Sequence, residues 1–123
     1  MDRPERLPRR VRALLADTGN EILVSVVSLW EIAVKHALSN RSLARGRADA
    51  IRFTGAEALR CFEEAGCAVL GLAPAHVLAL EGLPALHRDP FDRMLAAQAL
   101  AEPLRLVTHD AALAAYSDSF IAF

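Results

Sequence analysis

The sequence predicts an α/β fold, a three-layer α/β/α sandwich around a mainly parallel sheet. Three observations carry that expectation. The apolar runs EILVSVV (21–27), CAVLGL (67–72) and LRLVT (104–108) are the length of strands and rich in aliphatic residues, as expected of strands buried on both faces. Stretches with helical periodicity stand between them, which favours parallel pairing through crossovers. Neither hairpin signals nor internal repeats interrupt the alternation.

Each element has its own local cause. Residues 7–16 read as a helix, with Pro8 in the first turn and Val11, Leu14 and Leu15 on one side. DTGN (17–20) is a turn, followed by the strand at 21–27. SLWEIAVKHAL (28–38) reads as helix and SNRSLARGR (39–47) as a polar, basic loop. A helix over about 54–65 stops at Gly66, and the strand at 67–72 leads to a short helix from Pro74 to about Glu81. GLPALHRD (82–89) is loop. PFDRMLAAQALAE (90–102) is a helix ended by Pro103, with Met94, Leu95, Ala97 and Leu100 available for burial. DAALAAY (110–116) is a short helix after the strand at 104–108, and SFIAF (119–123) is a terminal strand.

Composition excludes several classes. With 123 residues, 54% of them hydrophobic, the chain fits a single domain (1–123) with a real core. No apolar stretch is long enough to cross a bilayer, and the charged opening MDRPERLPRRVR lacks a signal-peptide core. The expected location is therefore cytoplasmic, with no membrane partner. Cys61 and Cys67 match no zinc spacing and read as reduced thiols. The net charge is −1, but residues 1–52 hold ten Lys/Arg against six Asp/Glu, and residues 53–123 four against nine. A basic half suits phosphates and an acidic half suits cations, although ordinary solvated surfaces also look like this.

In open parallel sheets, ligands bind beyond the carboxyl ends of the strands. Glu31 follows the first strand, Asp110 follows the third, and Asp92 opens the helix that runs down into the strand at Leu104. The topology therefore sends all three acids to one rim, where carboxylate oxygens suit Mg²⁺ or Mn²⁺. Each acid also has a plain local reading. Ser28 and Glu31 have the spacing of a capping box, and Ser28, like Thr108 and Asp89, is expected at the rim beside the acids. Asp89 fits an N-cap before Pro90 at N1, which puts Asp92 at N3, where an acid complements the helix dipole. Asp110 or Thr108 could cap the last helix. Of the two aspartates in HRDPFD, the metal role goes to Asp92 and the cap to Asp89, which can also pair with Arg93 four positions on. The four histidines are scattered, with no metal-ligand spacing, and His109 reads as an exposed loop residue. Trp30 reads as a core or interface anchor. Arg41, Arg45 and Arg47 form a basic loop suited to guiding RNA phosphates, or simply a solvated surface. Glycine-rich phosphate loops and G-x-S-x-G elbows are absent from the sequence.

NEILVSVVSLWEIAVK (20–35), HRDPFDRMLAAQALAE (87–102) and LRLVTHDAALAAY (104–116), with RVRALLADTGN (10–20) before them, resemble the PIN domain family. The resemblance is specifically to the VapC-type toxin ribonucleases of type II toxin–antitoxin pairs. The resemblance implies a metal-dependent endoribonuclease acting as a toxin, with Glu31, Asp92 and Asp110 as metal-binding acids and Thr108 as the rim threonine. It also implies an RNA substrate, a cognate antitoxin and a homodimer. Family members usually begin with a strand ending in an aspartate, which this sequence lacks before the helix at 7–16. The expected consequence is the loss of one of four acids and of a central strand between those at 21–27 and 104–108. The alternative expectation is a catalytically impaired protein that serves only as an antitoxin-binding or dimerisation module.

Overall fold

The computed structural model describes residues 8–44 and 54–123. These residues form α1 (Arg9–Ala16), β1 (Leu23–Ser25), α2 (Val26–Ala44), α3 (Gly55–Glu64), β2 (Ala68–Leu70) and α4 (Pro74–Ala79). A 3-10 turn (Leu80–Gly82) follows, then α5 (Pro90–Ala101), β3 (Val107–Thr108), α6 (Ala111–Ala114) and β4 (Ile121–Ala122). The alternation of helix and strand is as expected, and both strand pairs are parallel. The chain is an α/β protein. It divides into two compact units, Glu21–Gly71 and the flanking segments that end at Asn20 and begin at Leu72.

In the unit Glu21–Gly71, β1 pairs with β2 in the register Leu23↔Ala68, Val24↔Val69, Ser25↔Leu70. The strands are shorter than the apolar runs that signalled them. The Oγ of Ser25 accepts from the Val27 N–H at 3.0 Å, a local side-chain bond that lets the backbone turn into α2 at Val26 despite the valines. Helix α2 then runs through Ala44, so residues 39–44 are helical where a loop was expected. Ser28 consequently lies inside α2 and not at its N-cap. Nor is β2 buried on both faces, since Ala68 and Val69 are exposed. A run of apolar residues reports strand propensity, but the cover over each face is set elsewhere in the chain. Trp30 is 55% exposed, which rules out the core reading. Helix α3 starts at a capping box: Thr54 Oγ1 accepts from the Glu57 N–H at 3.1 Å, and Glu57 Oε1 accepts from the Thr54 N–H at 3.3 Å. It ends at Gly66, whose φ of +84° suits glycine.

The other unit is organised around α5. Ala96 and Ala99 of that helix are buried with Leu113 and Phe120, and Leu83, Leu104, Leu106, Ala114 and Tyr116 pack around them. Ala97 and Gln98 are also buried, whereas Leu100 is exposed and not in the core. Strand β3 pairs with β4 through Val107↔Ile121 and Thr108↔Ala122. Arg10 of α1 donates from Nη2 to the Ala122 carbonyl at 2.6 Å, and Val11 is fully buried. His76, 2% exposed, joins the two ends of the α4–α5 pair. Its Nδ1 accepts from the Ala73 N–H at 2.9 Å, and its Nε2 lies 2.5 Å from Glu102 Oε2. Among the described residues, no helix is long and apolar enough to cross a membrane.

Leu113 is 2% exposed within the α5 cluster and Leu78 is 63% exposed. Leu113→Ala is expected to lower unfolding free energy by about 2–5 kcal/mol. Leu78→Ala should change it by less than about 0.5 kcal/mol. Urea denaturation of both variants checks the contrast.

Candidate functional site

Two helix starts and one loop build the site. At the start of α5, Asp89 is the N-cap, and its Oδ1 accepts from the Phe91 N–H at 2.8 Å and the Asp92 N–H at 3.3 Å. Pro90 takes N1, where its missing N–H costs nothing. Asp92 follows at N3, in the first turn of α5. At the end of β3, Thr108 Oγ1 accepts from the Asp110 N–H at 3.1 Å. Asp110 then caps α6, Oδ1 accepting from the Ala112 N–H at 2.9 Å and the Leu113 N–H at 3.3 Å. The loop before α5 is tied from two sides. The Tyr116 hydroxyl oxygen accepts from the N–H groups of Leu86 (3.1 Å) and His87 (3.0 Å). Arg93 donates from Nη2 to the Leu83 carbonyl at 3.3 Å, where the spacing suggests a surface pair with Asp89.

These ties bring His87 between the two acids. Its Nε2 lies 2.6 Å from Asp110 Oδ2 and 3.3 Å from Asp92 Oδ2. Its Nδ1 accepts from the Asp89 N–H at 3.0 Å. One ligand atom each from His87, Asp92 and Asp110 falls within 4.8 Å of the others, close enough for one cation to span them. The two carboxylates offer the oxygen ligands that suit a divalent ion of the magnesium or manganese type, whereas an imidazole nitrogen suits softer ions such as zinc. The hydrogen bond to Asp110 raises the pKa of His87 above 6.5, against the effect of burial and with help from the charges of Asp110, Asp92 and Asp89. The same bond lowers the pKa of Asp110 below 3.8, against desolvation and assisted by the α6 amides.

Of the acids expected at one rim, Asp92 and Asp110 lie together. Asp89 and Thr108 stand beside them in the capping and supporting positions assigned to them. Glu31 belongs to the unit Glu21–Gly71, where Lys35 Nζ meets its Oε2 at 2.6 Å. Arg45 and Arg47 lie outside the described residues. Arg41 falls within α2, but its side chain is outside the description. His109 is exposed and its Nδ1 lies 2.7 Å from the Phe123 carbonyl. His87 and Tyr116 are the residues that sequence reasoning missed. The usable signal for His87 was its place two residues before an N-cap aspartate, where the helix start fixes the adjoining backbone.

The profile of the PIN domain family matches residues 1–118. The chain belongs to the PIN domain family. PIN domains are generally nucleases and typically use divalent metals, in keeping with the paired acids of α5 and α6. No curated protein and no solved structure matched the chain.

The pKa shifts of this PIN domain fix a pH dependence. His87, with its raised value, contributes stability that is full below 6.5 and fades as pH rises through the raised pKa. Asp110, with its lowered value, contributes above 3.8 and loses that contribution as pH falls through the lowered pKa. The Tm difference between wild type and His87→Ala should therefore be largest between pH 3.8 and 6.5 and should shrink at alkaline pH. Metal-free thermal melts across pH measure it, and a difference independent of pH would contradict the linkage.

Proposed function

We propose that this chain is a metal-dependent endoribonuclease, the VapC-type toxin of a toxin–antitoxin pair, with Mg²⁺ or Mn²⁺ as its cofactor. The observation that supports the reading is the approach of Asp92 and Asp110 on the start of α5 and the end of β3. The carboxylates of Asp92 and Asp110 would hold the ion, with Glu31 as the third acid by family resemblance. A divalent cation bound there supplies Lewis acidity, which activates water and offsets charge growing on the phosphate. The chain's own contribution is placement. The N-cap bonds of Asp89 and Asp110 fix where α5 and α6 begin, so the acids are held before any ligand arrives. Thr108 Oγ1 fixes the backbone of Asp110, and the α6 amides fix one of its oxygens. Arg41, Arg45 and Arg47 would guide RNA phosphates, with a strong salt dependence. The proposed setting is the cytoplasm, as a homodimer held in check by an antitoxin protein.

A second reading keeps the partner surfaces and drops the chemistry. It is favoured by Trp30, an aromatic residue 55% exposed on α2, of the kind that anchors protein interfaces. In that reading the chain binds an antitoxin or a second copy without cutting RNA.

Mn²⁺-dependent cleavage of a structured RNA separates the two. Cleavage is expected to stop on chelation with EDTA and to fall about 100-fold or more in Asp92→Asn and Asp110→Asn. Asp89→Asn, which preserves an N-cap, should retain most of the activity. Cleavage that survives both carboxylate substitutions, or that is absent with either metal, would remove the nuclease reading and leave the binding module.

A further inference from the structure

We infer that His87 serves the Asp92–Asp110 site as a hydrogen-bond donor that positions the carboxylates, and does not act as a third metal ligand. The inference rests on the metal reading of the two acids given above. A neutral imidazole carries one proton, on one of its two nitrogens. The Asp89 N–H points at Nδ1 from 3.0 Å. In the neutral ring a proton on Nδ1 would set donor against donor, so in that form this nitrogen holds the lone pair, and protonation of the whole ring would cost the Asp89 bond. The proton belongs to Nε2, which faces two acceptors, Asp110 Oδ2 at 2.6 Å and Asp92 Oδ2 at 3.3 Å. Both ends of the ring give the same answer independently.

To ligate a cation, Nε2 would have to give up that proton, and the neutral ring would then carry it on Nδ1, against the amide. Neither the amide nor the loop backbone is easily moved. Asp89 is the N-cap of α5, so the helix start fixes its peptide plane. Tyr116 holds the backbone of Leu86 and His87 from the other side. A chain of placement results. The helix start sets the Asp89 amide, the amide sets the ring proton, and the ring proton sets Asp110 Oδ2 while the α6 amides keep Oδ1. His87 is therefore a positioning residue, acting through Asp110 and Asp92 as outer hydrogen-bond partners do around metal ligands. The buried His76 shows that this protein supports the same wiring elsewhere, with the Ala73 N–H on Nδ1 and Glu102 on Nε2.

The test is the protonation state of the His87 ring, read by ¹⁵N long-range NMR on the full chain at alkaline pH, where the ring is neutral, before and after saturation with Mg²⁺. Expected is a proton on Nε2 in both states, with the amide signals of Asp92 and Asp110 shifting as Mg²⁺ is added. A proton on Nδ1 in the metal-free protein, or an Nε2 that loses its proton to the ion, overturns the inference. Asp92 and Asp110 signals indifferent to Mg²⁺ would defeat the metal reading instead, while the metal-free ring proton still decides the donor assignment. Variants add a second readout. The Mg²⁺ dissociation constant is expected to rise about 10-fold or more in His87→Ala and to stay within about 3-fold of wild type in His87→Gln, whose amide N–H replaces the donor. A glutamine variant that is folded by circular dichroism yet as weak as the alanine variant counts against the donor role.

Discussion

Helix α5 can occupy the middle of its unit because the residues it buries are, Gln98 apart, all alanine. Ala96, Ala97 and Ala99 let the neighbouring chain approach the helix backbone, and Leu113 and Phe120 fill the remaining space. Interiors this tightly filled transmit position, since small changes in side-chain volume displace what they touch. Asp92 lies near the first turn of α5 and Glu102 just past its last. Each carboxylate meets a histidine whose Nδ1 takes a backbone N–H, His87 at one end and His76 at the other. Placement of the helix therefore governs both.

Capping and chemistry are not rivals here. Read singly, Asp89, Asp92 and Asp110 are ordinary residues for a helix N-terminus. In three dimensions Asp110 does both jobs, giving one oxygen to the α6 amides and the other to His87. Asp89 gives its side chain to α5 and its own amide to the His87 ring. The positive ends of two helices and one imidazole are what allow two carboxylates to lie so near each other.

Features with local causes were legible in the sequence. The start of α5 at Pro90, its cap at Asp89 and the span of α3 follow from residue types within one helical turn, whereas residue type left Asp110 and Thr108 as alternatives for the α6 cap. Strand lengths were not legible, because pairing partners come from distant segments: Leu23 meets Ala68, and Val107 meets Ile121. The extent of α2 was missed for a similar reason, since polar residues at 39–44 are compatible with either helix or loop. The meeting of Asp92 and Asp110 followed from topology. The bridge between them did not, because His87 is placed by Tyr116, 29 positions away in sequence. The family resemblance supplied the acids but could not supply the hydrogen-bond wiring that holds them.

The double duty of Asp110 has a consequence for reading related sequences. Asp and Glu are commonly treated as interchangeable letters, yet here one methylene separates them geometrically. A glutamate would keep the charge and give up the short reach that lets one oxygen satisfy the α6 amides while the other meets the ring. The bonds at position 110 therefore depend on side-chain length as much as on charge.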